Sequence, residues 1–296
     1  MEQLQGRFSR HRKGLVSILM RSLVILAAEV AGVVLSHSLA LLADAGHIFT
    51  DVVGVSLSLG AVWLATRPAG AKRSFGYYRA EILATIANGI LLLGIAGFVL
   101  WETGRRLSGA PEVEGSTMLV VAIIGVLGNG YSLWLLRPMR HESLNMRAAY
   151  LEVLSDLVGS VAVVIAAVVI WTTGFAFADV IASVVLVLLI IPRTVQLSIE
   201  ALHILLEGSP KEIRLDQVRS HMLSAEGVLD VHDLHVWSIT SGMNVVSAHV
   251  VVADQASQTV ILERLAACLG QHFNIEHSTF QLETRERMHL GSAFHQ

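Results

Sequence analysis

Charge is scarce in this chain. Of its 296 residues only 15% are Asp, Glu, Lys or Arg, 53% are hydrophobic, and the mean hydropathy of +0.62 lies outside the range of soluble domains. That excludes a water-soluble fold for most of the sequence. No long basic run interrupts it and the formal net charge is -3, so nucleic-acid binding has no electrostatic footing. The single cysteine, Cys268, cannot close an intrachain disulfide, and its neighbours in LERLAACLG read as those of a packed small residue rather than a reactive thiol. The basic start MEQLQGRFSRHRKG leads into a long apolar stretch without a small-residue cleavage pattern, which reads as an uncleaved first span. H-E-x-x-H is missing and no acid is left over as a separate general base, so neither an intramembrane metalloenzyme nor a prosthetic group is expected.

Six apolar segments of spanning length fall at about residues 15–35, 39–64, 80–103, 117–136, 148–171 and 178–199. Short-loop cations sort to one side: Arg7, Arg10, Arg12 and Lys13; Arg67, Lys72, Arg73 and Arg79; Arg137, Arg140 and Arg147. The opposite side has the bare connections SHS and TTGFAFA and one loop where Arg105 and Arg106 are followed by Glu112 and Glu114. The positive-inside rule then places both termini in the cytoplasm. After Glu207 the polar residues return. Their periodicity predicts a helix over 214–225, strands over 228–240 and 244–252, a helix over 257–272 and a strand over 275–284, a small α+β sandwich.

Within the second span, LLADAGHIFTD carries His47 and Asp51 four residues apart, on one helical face, with Asp44 a turn earlier. The fifth span repeats the spacing with Glu152 and Asp156 in YLEVLSDLVGS. A carboxylate at bilayer depth costs about 2.5–3.5 kcal/mol, so Asp51, Glu152 and Asp156 facing lipid would cost on the order of 10 kcal/mol together. They must face each other or water. One imidazole and three carboxylates on two helices supply the four ligands of a tetrahedral divalent transition metal, whereas magnesium or calcium would demand more oxygens and no imidazole. Asp44 has three readings: a partner orienting His47, an entrance ligand, or an acid at a water-filled cavity. Glycines in ANGILLLGIAG and IIGVLGNG permit close helix approach, and Asn88 and Asn129 either line a path or bond between helices.

The tail offers His232 and His235 in VHDLHVW, His249 in SAHV, and His277 with Glu283 in HSTFQLE. In a regular strand His232 and His235 face opposite sides, so only one of them should join His249.

These paired ligands in the second and fifth spans, with FGYYRAE before the third span and HDLHVW, SAHV and HSTFQLE in the tail, resemble the cation diffusion facilitator family, and within it the bacterial cobalt, zinc and cadmium exporter branch. The resemblance covers nearly the whole chain. It implies a cytoplasmic segment 1–14, a six-helix transmembrane bundle over 15–206, and a cytoplasmic, metallochaperone-like α+β domain over 207–296, ferredoxin-like in the order αββαβ. It further implies a homodimer in the inner membrane that exchanges cytoplasmic Zn2+, Cd2+ or Co2+ for protons. The transport ligands map to His47, Asp51, Glu152 and Asp156. A tail metal site maps to His232 and His249 with His277 or Glu283, and a salt bridge hinging the two halves maps to Arg79 and Glu207. Many zinc-selective members carry His where this chain has Glu152, and a harder ligand there should relax discrimination among metals. Several relatives have a His-rich fourth-to-fifth loop, where this chain has only His141. A membrane metal sensor that binds without flux is the alternative.

Overall fold

The structure is a computed structural model, and it describes residues 19–20, 22–65, 74–109, 112–139, 144–240, 242–253 and 257–284. The expected segment 1–14, the loop cations Arg67, Lys72, Arg73 and Arg140, and His141 lie outside the described residues, as do the side chains of Arg147 and Glu152. The described residues form two compact units. One holds the described residues up to Ala65 and those from Ala84 to Ser198; the other holds those from 74 to Leu83 and from Ile199 onward.

The first unit is helical. Its helices are α1 Ser22–Ser36, α2 Leu39–Ala65, α3 Arg79–Arg106, α4 Gly115–Leu136, α5 Leu144–Thr173 and α6 Phe177–Leu205. Among the described residues four helices are long and apolar enough to cross a membrane: α3, α4, α6 and the Val153–Thr173 part of α5. The chain is a multi-pass membrane protein. Trp101 and Trp171 stand exposed near the ends of α3 and α5, and Tyr131 and Trp134 near the end of α4, where amphipathic rings would meet a headgroup layer.

Packing in this unit is uneven. The buried core joins the first halves of α2 (Leu41), α4 (Met118) and α6 (Leu186) to the second halves of α3 (Val99) and α5 (Val163, Ile170). There α4 runs so close to α5 that a Cβ on Gly115 would stand 2.8 Å from the backbone nitrogen of Trp171. Backbone cannot yield as a side chain can, so this contact needs glycine. A Cβ on Gly128 would stand 2.7 Å from the tip of the Ile25 side chain on α1, which can shift, one on Gly125 would meet Glu29 and Ser160 only at 3.4–3.5 Å, and glycines 94 and 97 meet nothing within 4 Å.

Two acids fix this end. Asp179, fully buried on α6, accepts from the Ser38 hydroxyl at 2.5 Å and from the Leu39 and Ala40 amides at 2.8 and 3.0 Å. It thereby satisfies the free N–H groups that open α2. Arg106 stands 3.6 Å from the same carboxylate and donates to the carbonyl of His37, which turns the chain at φ 57°. Glu114 caps α4, accepting from the Thr117 amide at 2.8 Å and from the Ser116 hydroxyl. Those donors, the Ser116 hydroxyl first, hold its carboxyl below the ordinary range.

In the second unit α7 Leu215–Leu223, β1 Val228–Thr240, β2 Met243–Val252, α8 Gln258–Phe273 and β3 Ile275–Glu283 follow in order. The sheet order is β1-β2-β3, antiparallel between β1 and β2 and parallel between β2 and β3. A parallel pair needs a crossover, which α8 provides. Val218 and Met222 of α7 and Ile261, Leu265 and Leu269 of α8 pack with Val231, Val236, Val246, Ala248 and Val250 of the strands. The helical spacing of those residues puts one face of each helix on the sheet.

Asp179→Ala should lower the thermal unfolding midpoint of the detergent-solubilised protein by the equivalent of about 3 kcal/mol, because three donors at the start of α2 lose their carboxyl acceptor. Ser38→Ala removes one donor and should cost about 1 kcal/mol. An unchanged midpoint in Asp179→Ala would mean the carboxylate does not hold α2.

Candidate metal centre

The i, i+4 spacing on α2 puts His47 and Asp51 on one face, and α5 brings Asp156 to them. His47 Nε2 lies 3.1 Å from Asp156 Oδ1 and 3.7 Å from Asp51 Oδ2. One ligand atom from each of the three falls within 4.8 Å of the other two. Glu152 lies on α5 one turn before Asp156, with its side chain outside the described residues. The three side chains line a cavity of about 120 Å³, room for several waters, together with Asp44, Thr50, Asn88 and Ser155. His47 Nδ1 is buried without a hydrogen-bond partner, so the ring is held through Nε2 alone.

Asp44 is buried on the cavity wall, hydrogen-bonded to Glu29 and Ser160 rather than to His47 Nδ1. Asn129 donates to Ser160 at 3.0 Å, while Asn88 faces the cavity with an unpartnered Oδ1. The result is a buried polar chain from Asn129 on α4 through Ser160 on α5 and Asp44 on α2 to Glu29 on α1. Glu29, only 1% exposed, is absent from the sequence-based site. Its signal was the one that exposed the other acids: a lone carboxyl in LAAEVAG, within an apolar span.

In the second unit His232 on β1 pairs across the ladder with His249 on β2. The regular-strand premise fails next to them. Between the pairs His232↔His249 and His235↔Ser247, three steps of β1 match two of β2, and Asp233 turns at φ 50°. This bulge restores parity, so His232 and His235 come to the same side of the sheet. His235 Nε2 contacts Asp233 at 3.0 Å instead, and Asp233 reaches His249 at 3.8 Å. Glu283, buried at the end of β3, stands 3.4 Å from His232 Nε2 and 3.1 Å from His249 Nδ1. His277 pairs with Val245, six residues from Glu283 along β3, and its ring meets Phe75 edge-on at 5.3 Å. At about 3.3 Å per residue that is on the order of 20 Å from the cluster. Both ring nitrogens of His232, His249 Nδ1 and Glu283 Oε2 are buried without hydrogen bonds. Such a set of orphaned nitrogens and carboxylate oxygen fits a divalent transition metal.

The start of α3 docks within the same unit. Arg79 donates to Glu207 at 2.8 Å, and Thr240 at the end of β1 donates to Glu81 at 2.8 Å. Glu207 sits at φ 60°, with its amide bonded to the Ile204 carbonyl and that of Gly208 to the His203 carbonyl, the pattern that ends a helix in a left-handed residue.

Residues 15–206 match the cation efflux transmembrane domain and residues 210–285 the cation efflux protein cytoplasmic domain. The metal cation efflux system protein CzcD of Cupriavidus metallidurans is 42% identical over 259 residues, covering 87% of this chain and 82% of that protein. The cadmium, cobalt and zinc/H(+)-K(+) antiporter of Bacillus subtilis is 38% identical over 266 residues, covering 88% and 85%. The zinc transporter ZitB of Escherichia coli is 38% identical over 257 residues, covering 86% and 82%. With both of its units matched in chain order, the protein belongs to the cation efflux, or cation diffusion facilitator, family.

Proposed function

We propose that this protein is a proton-coupled antiporter that exports divalent transition-metal cations from the cytoplasm, Zn2+ first and also Cd2+ and Co2+. The observation that carries the proposal is the convergence of His47, Asp51 and Asp156 from two apolar helices on one cavity. Glu152, at the spacing of a fourth ligand, completes the proposed set. Names borne by relatives at 38–42% identity describe metal efflux and H+ antiport, which supports the same reading. Such chemistry is transport and needs no enzymatic step.

The proposed architecture has six spans, α1 to α6, with both termini cytoplasmic in the inner membrane, and a ferredoxin-like αββαβ domain through which two copies pair. Its proposed boundaries are 1–14, 15–206 and 207–296. The basic loops lie at the end of the bundle where α2 finishes and α3 begins. Thr85, Arg193 and Ser198, on the cavity wall, belong to that half, while the dry core around Leu41, Met118 and Ile170 occupies the other. With that half cytoplasmic, the cavity faces inward and the dry core is the outer gate.

Ligands of this type exchange metal for protons by competition. An imidazole ordinarily titrates near pH 6.5 and clustered carboxylates titrate together, so a bound cation displaces protons and an inward proton gradient displaces the cation. Carboxylate at 152 in place of imidazole hardens the site and broadens the metals it accepts. The Arg79–Glu207 pair is the proposed hinge contact, and the His232, His249 and Glu283 cluster a proposed tail site for the same ions.

In proteoliposomes, Zn2+ addition should drive proton release that falls by at least about 10-fold in His47→Ala. Undiminished release would sink the ligand assignment, and binding without flux would favour a metal sensor. Glu152→His should narrow the preference toward Zn2+ when Zn2+, Cd2+ and Co2+ fluxes are compared; an unchanged ratio would clear residue 152 of that role. In equilibrium dialysis of the full chain, His249→Ala should bind one Zn2+ fewer per chain than the parent. Equal stoichiometry would remove the tail site.

A further inference from the structure

A third group of metal-ligand side chains lies apart from both clusters described above. His221 near the end of α7 and Cys268 with His272 near the end of α8 bring one ligand atom each within 4.8 Å of one another. The Cys268 sulfur is 3.9 Å from Nδ1 of His221 and 3.9 Å from Nδ1 of His272, and the two rings stand 5.0 Å apart. We propose that His221, Cys268 and His272 form a separate binding site for a thiophilic divalent cation of the zinc and cadmium kind, on the helical side of the second unit.

Three features carry this. Tetrahedral zinc with bonds of about 2.3 Å to sulfur and 2.0–2.1 Å to nitrogen separates the two ligand atoms by about 3.6 Å, only a few tenths less than found here. The i, i+4 spacing of Cys268 and His272 is built into α8, so only His221 has to come from elsewhere. It is fixed there: the edge of its ring packs on Phe273 at 5.1 Å, and its neighbour Met222 is fully buried in the core. The site also stands at the C-terminal ends of two helices, where the backbone dipoles favour positive charge.

His272 is exposed, and its Nδ1 bonds the Cys268 carbonyl at 2.9 Å. Rotation of that free ring exchanges the hydrogen bond for a metal bond. Three protein ligands leave a fourth position for water. Binding forms the metal–sulfur bond and releases the thiol proton to solvent, with no change of oxidation state. A sulfur ligand makes this site softer than the two nitrogen and oxygen clusters, and biases it toward Cd2+. The proposal stands whether or not the chain transports metal.

The test uses the fact that the chain has one cysteine. Co2+ titrated into the reduced full-length protein in detergent should give a sulfur-to-cobalt charge-transfer band saturating at one equivalent per chain, since no other site holds sulfur. Cys268→Ser should abolish the band while weaker cobalt absorptions from sulfur-free sites persist. His221→Ala and His272→Ala should each weaken it on the order of 10- to 100-fold in affinity. In parallel, one equivalent of Cd2+ should slow maleimide labelling of Cys268 in the parent and not in His221→Ala. No band at saturation, or an unweakened band with both histidines replaced, would overturn the site: the first leaves a thiol packed between imidazoles, the second a thiol binding cobalt alone.

Discussion

A polar side chain inside an apolar bundle must find a partner there, and this one constraint organises the membrane unit. The carboxylate of Asp179 is tolerable only because the opening amides of α2 point at it, and the same contact fixes where α2 begins. Once α2 is anchored, its third turn carries His47 to Asp156 at 3.1 Å. Asp44 and Glu29 obey the same rule with each other and Ser160. The dry core around Val99 and Met118 needs no such partners and packs densely, so the vacant volume collects where the polar groups are.

The helical segments were legible because apolar length sets them, and the strands of the tail because alternation does. Val228–Thr240 coincides with its expected bounds, and α6 runs on from 199 to Leu205, where its face turns polar and Lys211 meets Glu200. What the sequence could not supply was pairing across long separations. The contact of Asp179 with Ser38 spans 141 positions, and nothing local to FADV marks that acid as a cap for another helix. Glu29 was legible by the rule that found Asp51, applied one span earlier. Cys268 shows the same limit: His221, whose ring lies 3.9 Å from its sulfur, stands on a different helix and 47 positions away.

The tail shows how a local irregularity overrides a period-two rule. Strict alternation would divide His232 from His235, but the extra residue at Asp233 puts both on one side. Asp233 then bridges His235 and His249, 3.0 Å from the first and 3.8 Å from the second. A bulge costs ladder hydrogen bonds, and here it surrounds His249 with carboxylates, Glu283 on one ring nitrogen and Asp233 near the other. Strand register explains the separate place of His277, since six residues along β3 no side chain can span the distance.

Energy scales bear on the proposed hinge. Arg79 and Glu207 are 2.8 Å apart but both are substantially exposed, and an exposed pair contributes about 0–1 kcal/mol. Glu207 also occupies a left-handed conformation, which costs a non-glycine residue about 1–2 kcal/mol. The two nearly cancel. If stability alone were at stake, glycine at 207 would end α6 at lower cost and the arginine would be dispensable. A carboxylate there serves geometry instead: it ties the end of α6 to the start of α3 at 2.8 Å, so the pair sets where these two helix ends meet without adding appreciably to stability.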